Sequence, residues 1–329
     1  MIMDLSRVVL FSGGSCPQLA EAIGTNLGLP LSPAKITSFA DGELFAQLEV
    51  NVREQQVFIV QSTYPKADNL MQLLLMIDAA KRASAAAVTA VMPYFGYARQ
   101  DRKKEGRVPI TARLVANLVH AAGADRVVTA ELHAAQIQGF FDIPCDHLYM
   151  YPVIVPEIQR ILEAEWEIHG PDTPFCLVSS DINGGSMVRN FRDLRFPDGH
   201  TIIIDKKRPQ PGASKIQKIY GDPRGHICII LDDMIDGAGS LIGAAEAMME
   251  GGAKSVHGAA AHPVFSGDSV ERIQRSSLKS VVVSDTIPCE EKLGPDSKIT
   301  VCSFGSIFAP AIEAIATGTS VSEVCFEPR

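Results

Sequence analysis

The chain has 329 residues, of which 46% are hydrophobic and 21% are charged, and its formal net charge is −8. This composition excludes a disordered chain, and the negative charge argues against sequence-independent binding to nucleic acid. The length predicts two domains. Charges interrupt every long apolar stretch, so we expect no membrane-spanning segment. The seven scattered cysteines include no C-x-x-C pair, which indicates a reduced, cytoplasmic protein with neither disulfides nor a zinc site.

The first half of the chain predicts short apolar strands that alternate with helices. We expect strands at residues 8–11, 57–60, 88–92 and 126–130, and helices at residues 17–27, at 69–83 and before Gly123. This alternation is typical of an α/β fold with a parallel sheet. The segment TSFADGE at residues 37–43 lies between apolar segments, and its Asp-Gly pair predicts a hairpin turn.

Basic and polar residues follow two of these strands. Five of the nine residues from 99 to 107 are basic, and a charge run of this kind is ordinarily a solvated loop. Arg99, however, comes soon after a strand end, which is where ligands bind in α/β sheets. His133 follows the strand at 126–130. A single histidine is commonly a packed structural residue, but the end of a strand favours a functional role.

The second half continues the same pattern. Strands are predicted at residues 175–179, 201–204, 227–231, 255–262 and 280–284, and helices at 155–165, 241–250 and 309–316. Asp181 and an Asn-Gly-Gly turn follow the first of these strands, and such a turn can cradle an anion. The second strand ends in Lys206, Lys207 and Arg208. We expect this segment to be a mobile basic loop, with a solvated hairpin as the alternative.

A cluster of acids and glycines follows the strand at 227–231. The sequence DDMIDGAGS places Asp232, Asp233 and Asp236 before a Gly-Ala-Gly-Ser loop at the start of a predicted helix. Free N–H groups and the helix dipole favour a phosphate at that point. Carboxylates also accept hydrogen bonds from sugar hydroxyls. The pattern therefore predicts a sugar-phosphate site, and the simpler alternative is a tight turn with solvated acids.

One strand–helix–strand unit occurs twice with the same spacing. Pro93 lies 36 residues after Val57, and Pro263 lies 36 residues after Ile227. Each proline begins a Pro-x-Phe sequence close to a glycine. The shared spacing predicts the duplication of one α/β unit. Two similar halves would each have a strand-end crevice, so a site between them could hold two substrates.

Seven stretches of the chain match known motifs: FADGELFAQL, VFIVQST, NLMQLLLMIDAAKRASA, PYFGYARQDRK, LHAAQIQGFFDIP, IDKKRP and DDMIDGAGS. Through them the chain resembles the phosphate-activated ribose-phosphate diphosphokinases, also called PRPP synthetases. The resemblance implies an α/β fold of two phosphoribosyltransferase-like domains, each with a mainly parallel central sheet flanked by helices. We place these domains at residues 1–150 and 151–329, with the last helix packing back on the first domain. The implied reaction transfers the diphosphoryl group of MgATP to the C1 hydroxyl of ribose 5-phosphate, giving PRPP and AMP.

The resemblance also implies roles for individual residues. The residues that resemble the family's ATP-binding residues are Phe39, Asp41, Gly42, Glu43, Arg99 and Gln100. His133 and Asp181 resemble the Mg²⁺ ligands, and Lys206 and Arg208 resemble the catalytic cations. The residues that resemble the family's ribose 5-phosphate-binding residues are Asp232, Asp233, Asp236, Gly237, Ala238, Gly239 and Ser240. The resemblance further implies a cytoplasmic homo-oligomer, a hexamer, with phosphate and ADP as effectors and with neither a nucleic-acid nor a membrane partner.

The chain departs from the family pattern at several positions. The family usually has Asp where this chain has Glu131, Pro where it has Ser180, and Arg where it has Lys207. It usually has Thr at the positions of both Gly237 and Ser240. The segment at 182–187 looks one residue longer here than in the family. Two other functions therefore stay open. One is a catalytically silent regulatory subunit, against which the retention of His133, Asp181, Lys206 and Arg208 argues. The other is a phosphoribosyltransferase that consumes PRPP, which does not explain the matching first half.

Overall fold

The computed structural model describes the backbone of residues 5–210 and 213–325 and the side chains of residues 5–206 and 216–323. The chain folds into two compact units. Unit 1 comprises Met1–Met150, Asp285–Pro288 and Ser303–Arg329, and unit 2 comprises Tyr151–Ser284 and Cys289–Cys302. Across the described residues, no helix combines the length and the apolar character that crossing a bilayer requires.

Unit 1 contains a five-stranded parallel sheet. Its elements up to residue 150 are β1 (Val8–Ser12), α1 (Pro17–Leu27), β2 (Ala34–Ser38), β3 (Leu44–Leu48), β4 (Gln56–Val60), α2 (Ala67–Arg82), β5 (Ala87–Met92), α3 (Thr111–Ala121), β6 (Arg126–Ala130) and β7 (Cys145–Leu148). The sheet order is β1-β4-β5-β6-β7, and every neighbouring pair is parallel. β2 and β3 form a separate antiparallel hairpin. The central strands are apolar runs such as VFIV because helices cover both faces of a parallel sheet.

Unit 2 contains a seven-stranded sheet. Its elements are α4 (Tyr151–His169), β8 (Phe175–Ser179), α5 (Gly185–Arg195), β9 (His200–Gln210), β10 (Ala213–Tyr220), β11 (Ile227–Ile235), α6 (Gly239–Glu250), β12 (Ser255–Pro263), α7 (Ser269–Arg275), β13 (Val281–Ser284) and β14 (Ile299–Cys302). The sheet order is β10-β9-β8-β11-β12-β13-β14, in which only the β9–β10 pair is antiparallel.

The two sheets are copies of one design. The order β1-β4-β5-β6-β7 in unit 1 corresponds to β8-β11-β12-β13-β14 in unit 2, and a hairpin separates the first two strands along the chain in both units. Each unit also has its own hydrophobic core, formed between its sheet and helices. The duplication predicted from a single repeated spacing is therefore confirmed over five strands of each sheet, as is the α/β fold class.

The helices that follow the last strands belong to the opposite units. α4 follows β7 but belongs to unit 2, whereas α8 (Gly305–Thr317) and α9 (Val321–Cys325) follow β14 and belong to unit 1. Within unit 1, α8 packs against α1 so closely that a Cβ on Gly305 would lie 2.9 Å from the Cβ of Ala22. Gln56 Nε2 also donates a hydrogen bond of 3.1 Å to the carbonyl of Ala316.

Two strands extend further than the sequence pattern predicts. β11 continues through Asp232 and Asp233 to Ile235, because β12 also continues to Pro263 and pairs with it. β9 continues through the basic run to Gln210, where it pairs with β10. Residues 205–210 are therefore strand and not the loop that the sequence pattern predicts, and the mobility of this basic segment stays a prediction. The side chains of residues 207–215 lie outside those that the structure describes.

Candidate active site

The loop between β11 and α6 forms a turn whose position suits an anion. It lies at the carboxyl end of parallel strands and at the amino end of a helix of 12 residues, where free N–H groups and the helix dipole favour a phosphate. Ala238 takes the left-handed conformation, with φ of 57°. Gly237 has open space where a side chain would begin. Of the predicted phosphate residues, Asp236–Ala238 form the turn itself, and Gly239 and Ser240 begin the helix.

Two cations hold the outside of this turn. Lys206 Nζ on β9 donates a hydrogen bond of 2.7 Å to the carbonyl of Ser240. Arg272 on α7 donates from Nη1 to the carbonyl of Gly237, also at 2.7 Å. The sequence prediction includes Lys206 but misses Arg272, since a single arginine among the charged residues of a short helix carries no local signal. Both carbonyls therefore face cations.

Asp232 is held by the residue that follows the neighbouring strand. Ser180 Oγ donates a hydrogen bond of 2.7 Å to Asp232 Oδ2, and the backbone N–H of Asp233 donates to Oδ1 at 3.0 Å. Burial and the charge of Asp233 raise the pKa of Asp232 well above its ordinary value, while the hydrogen bond from Ser180 acts in the opposite direction. The departure at position 180 thus supplies a hydroxyl donor to one of the predicted ribose ligands.

Asp181 lies in the turn between β8 and α5. Its Oδ1 accepts a hydrogen bond of 3.0 Å from the backbone N–H of Gly184, and Ser179 Oγ donates to its carbonyl at 2.6 Å. The predicted Asn-Gly-Gly turn therefore runs directly into the amino end of α5. In unit 2 the structure brings Ser180, Asp232, Lys206 and the 236–240 turn to the carboxyl edge of the sheet.

In unit 1, four of the predicted ATP-site residues, Phe39, Asp41, Gly42 and Glu43, lie in the turn of the β2–β3 hairpin. Asp41 Oδ1 accepts a hydrogen bond of 3.0 Å from the N–H of Glu43, and Gly42, with φ of 94°, donates its N–H to the carbonyl of Phe39. The Phe39 ring makes an edge contact with Phe45, yet 57% of Phe39 is exposed. The hairpin therefore presents an aromatic face and two carboxylates to solvent.

Arg99 and Gln100 follow a buried segment after β5. Gly96 approaches Thr63 so closely that an added Cβ would lie 2.7 Å from the Thr63 carbonyl, and its N–H donates to Thr63 Oγ1. Arg99 and Gln100 then emerge at the surface, and Thr111 Oγ1 at the start of α3 donates to Gln100 Oε1. The close packing before them fixes where these two side chains leave the sheet.

His133 follows two residues that are anchored to the neighbouring strand β7 and the residues after it. The N–H of Leu132 donates a hydrogen bond of 2.9 Å to His147 Nε2 on β7, and the buried Glu131 carboxylate accepts from the N–H of Met150. His133 itself is exposed. Among the residues that the structure describes, no three His, Cys, Asp or Glu side chains are grouped to hold a metal ion.

Comparisons with known proteins show the family to which the chain belongs. A model of the N-terminal domain of ribose phosphate pyrophosphokinase matches residues 8–123, and a phosphoribosyl synthetase-associated domain model matches residues 200–326. The ribose-phosphate pyrophosphokinase of Hyphomonas neptunium is 47% identical over 93% of this chain and 96% of its own. The chain belongs to the ribose-phosphate pyrophosphokinase family. The resemblance seen in the sequence motifs is thereby confirmed.

Further members of the family show the same extent of similarity. The ribose-phosphate pyrophosphokinase of Chlorobaculum tepidum is 44% identical over 96% of this chain and 94% of its own. The crystal structure of phosphoribosylpyrophosphate synthetase from Mycobacterium smegmatis matches with a TM-score of 0.82 and 36% identity, covering 94% of this chain and 98% of that one. Family membership thus extends over both units.

Proposed function

We propose that the protein transfers the diphosphoryl group of MgATP to the C1 hydroxyl of ribose 5-phosphate, giving PRPP and AMP. The hydroxyl oxygen forms a bond to the β-phosphorus, the bond from that phosphorus to the α–β bridging oxygen breaks, and the hydroxyl proton is released. The observation that carries the proposal is the 236–240 turn, with Lys206 and Arg272 outside it and Asp232 beside it. The names of the relatives point to the same reaction.

The sugar phosphate would bind in unit 2. The 5-phosphate takes the N–H groups of residues 236–240 and the Ser240 hydroxyl, since that turn opens a helix. Asp232 and Asp233 accept hydrogen bonds from the ribose hydroxyls. No residue is assigned to the C1 hydroxyl itself. Its oxygen, which attacks the β-phosphorus, is positioned by the contacts that hold the rest of the sugar phosphate.

The nucleotide would bind to residues of unit 1. Phe39 offers an exposed ring for stacking, and Asp41, Gly42 and Glu43 offer hydrogen-bond partners for the base and its sugar. Arg99 and Gln100 are the polar side chains that follow β5, and the guanidinium suits phosphate oxygens.

Lys206 and Arg208 are the proposed catalytic cations. Phosphoryl-type transfer depends mainly on positioning and on charge neutralisation, which two cations beside the β-phosphate provide. A hairpin that covers the reacting groups also excludes water and so limits hydrolysis. The side chain of Arg208 lies outside those that the structure describes.

His133 in unit 1 and Asp181 in unit 2 are each a proposed ligand of Mg²⁺. An imidazole and a carboxylate are chemically suited to a divalent cation, but two donors are too few to bind it tightly without the oxygens of ATP. A bound Mg²⁺ supplies neutralisation of phosphate charge. We also propose that the protein is a cytoplasmic hexamer with phosphate and ADP as effectors. The basic segment at 99–107 would contribute to the effector site.

The decisive experiment is the release of AMP from ATP with and without ribose 5-phosphate. Purified protein with MgATP and the sugar phosphate should form AMP and PRPP in equal amounts. Formation of ADP would instead mean single phosphoryl transfer. An absence of turnover from the properly folded protein would favour the silent regulatory subunit.

A further inference from the structure

Arg272 lies against the 236–240 turn. Its Nη1 is 2.7 Å from the carbonyl oxygen of Gly237, and a Cβ built on Gly239 would lie 3.6 Å from its Nη2. The guanidinium therefore lies along the turn between residues 237 and 239. The side chain is largely exposed, so it contributes little to the core of unit 2.

The contact with the carbonyl of Gly237 restrains the backbone of the turn. A peptide carbonyl and the N–H of the same peptide unit point in opposite directions. Holding the Gly237 carbonyl on the outside therefore directs the following N–H, that of Ala238, towards the inside. Ala238 is in the left-handed conformation, which an alanine adopts only where its surroundings hold it there. Arg272 provides such a restraint on the residue before it.

Acidic and basic side chains both lie close to the turn. Asp232, Asp233 and Asp236 place three carboxylates next to the turn that would hold a phosphate dianion. These carboxylates would repel the phosphate. Two cations of unit 2 oppose that repulsion: Lys206, which contacts the carbonyl of Ser240, and Arg272, which contacts the carbonyl of Gly237. A guanidinium has five N–H donors, and the contact with Gly237 uses only one of its nitrogens.

We infer that Arg272 is a positioning residue for the 5-phosphate of ribose 5-phosphate, which sets the 236–240 turn in its anion-binding form and offsets the charge of the bound dianion. The inference deepens the proposed function and rests on it. Arg272 acts through the turn and on the sugar phosphate alone. Its loss should weaken the binding of that substrate without affecting ATP.

The test is steady-state kinetics of AMP release for the wild-type protein and three variants. Arg272→Ala should raise KM for ribose 5-phosphate by about 10-fold, as loss of a charged hydrogen-bonding group typically does. KM for ATP should stay within about two-fold of the wild type. Arg272→Lys keeps the charge and one donor, so its KM for ribose 5-phosphate should rise less than that of Arg272→Ala.

Arg275→Ala is the matched control. Arg275 lies on the same helix, is exposed, and is ion-paired with Glu271 at 3.2 Å. Its loss should leave both KM values unchanged. The inference is overturned if Arg272→Ala leaves KM for ribose 5-phosphate unchanged, raises both KM values equally, or behaves like Arg275→Ala. Wild-type protein that forms no AMP with ribose 5-phosphate would overturn the proposed function itself, which is a distinguishable result.

Discussion

Glu131 and Asp285 make the same hydrogen bond in the two copies of the duplicated fold. Each carboxylate is buried just after an equivalent strand, β6 or β13. Each accepts a hydrogen bond of 2.9 Å from a backbone N–H that lies 19 residues further along the chain, that of Met150 for Glu131 and that of Phe304 for Asp285. The acid therefore ties together the ends of two neighbouring strands, and the departure from Asp at position 131 keeps this link.

Removing either carboxylate should destabilise the protein. Glu131→Ala and Asp285→Ala each leave a buried N–H without its acceptor, which costs about 1–3 kcal/mol in the free energy of unfolding. Urea unfolding followed by circular dichroism measures this loss. Glu131→Gln keeps an oxygen acceptor and should lose less than Glu131→Ala. Equal urea midpoints for these two variants would show that the hydrogen bond does not carry the effect.

The Ser180 hydroxyl should matter for the sugar substrate. Ser180→Ala removes the donor to Asp232 Oδ2, so Asp232 loses a group that orients it and KM for ribose 5-phosphate should rise about 3- to 10-fold. KM for ATP should change little, because the proposed ATP residues lie in unit 1. Ser180→Thr keeps the hydroxyl and should restore the wild-type value. A Thr variant as impaired as the Ala variant would rule out the hydroxyl as the cause.

Gly237 offers a way to strengthen the phosphate site. Its backbone does not require glycine, because no atom lies within 4 Å of an added Cβ and its φ is not in the left-handed region. Gly237→Thr restores the hydroxyl that the family usually has and should lower KM for ribose 5-phosphate about 3- to 10-fold. Gly243→Thr on α6, where there is also open space, is the control for adding a threonine. A higher KM in Gly237→Thr would mean that the phosphate approaches the backbone closer than a side chain permits.

The basic hairpin predicts unequal roles for three neighbouring cations. β9 is extended through this run, and alternate residues of a strand share one side, so we expect Arg208 on the side of Lys206 and Lys207 on the other. Lys206→Ala and Arg208→Ala should each lower kcat about 100-fold or more, with a much smaller change in KM for ATP. Lys207→Ala should be mild. A Lys207→Ala variant as impaired as Lys206→Ala would show that the two side chains do not lie on opposite sides of the strand.

Local patterns predict much of this fold, and long-range pairing accounts for most of what they miss. Strands such as β4 and helices such as α1 are recognisable from runs of apolar residues and from Pro17 at the helix start. The extension of β11 depends on pairing with β12, and that of β9 on pairing with β10. β7 and β14 have four residues each, and unlike the equally short β13 neither contains a continuous run of valines.

The candidate site divides in the same way. Its acids and glycines are contiguous in the DDMIDGAGS motif and can be read directly. Arg272 reaches Gly237 from 35 residues away, on a helix of seven residues whose other charges are ordinary surface groups. The contact from Ser180 to Asp232 spans 52 residues and arises only because β8 and β11 are neighbours. Neither relationship has a local sequence signal.

A buried histidine in unit 2 should make stability depend on pH. His257 on β12 is 3% exposed, its Nδ1 is 2.7 Å from Ser280 Oγ, and its Nε2 is 3.5 Å from Glu165 Oε1. Lys279 is ion-paired with the same carboxylate, and His169 lies 3.3 Å from it. Burial lowers the pKa of His257 to about 4, against the opposing attraction of Glu165. The folded protein therefore keeps this imidazole neutral where an unfolded chain protonates it.

The sign of the effect follows from this depressed pKa. Between the unfolded value of about 6.5 and the folded value of about 4, the unfolded state binds more protons, so stability falls as the pH is lowered. From pH 7 to pH 5 the loss should be on the order of 1–2 kcal/mol. Urea unfolding followed by the fluorescence of Trp166, the single tryptophan and a residue of unit 2, measures this loss.

His257→Gln should lose less stability over this range, because it cannot take up the proton. The exposed His120 on α3 supplies the control, since His120→Gln should keep the wild-type dependence. Parallel pH profiles for the wild type and His257→Gln would assign the acid sensitivity to other groups.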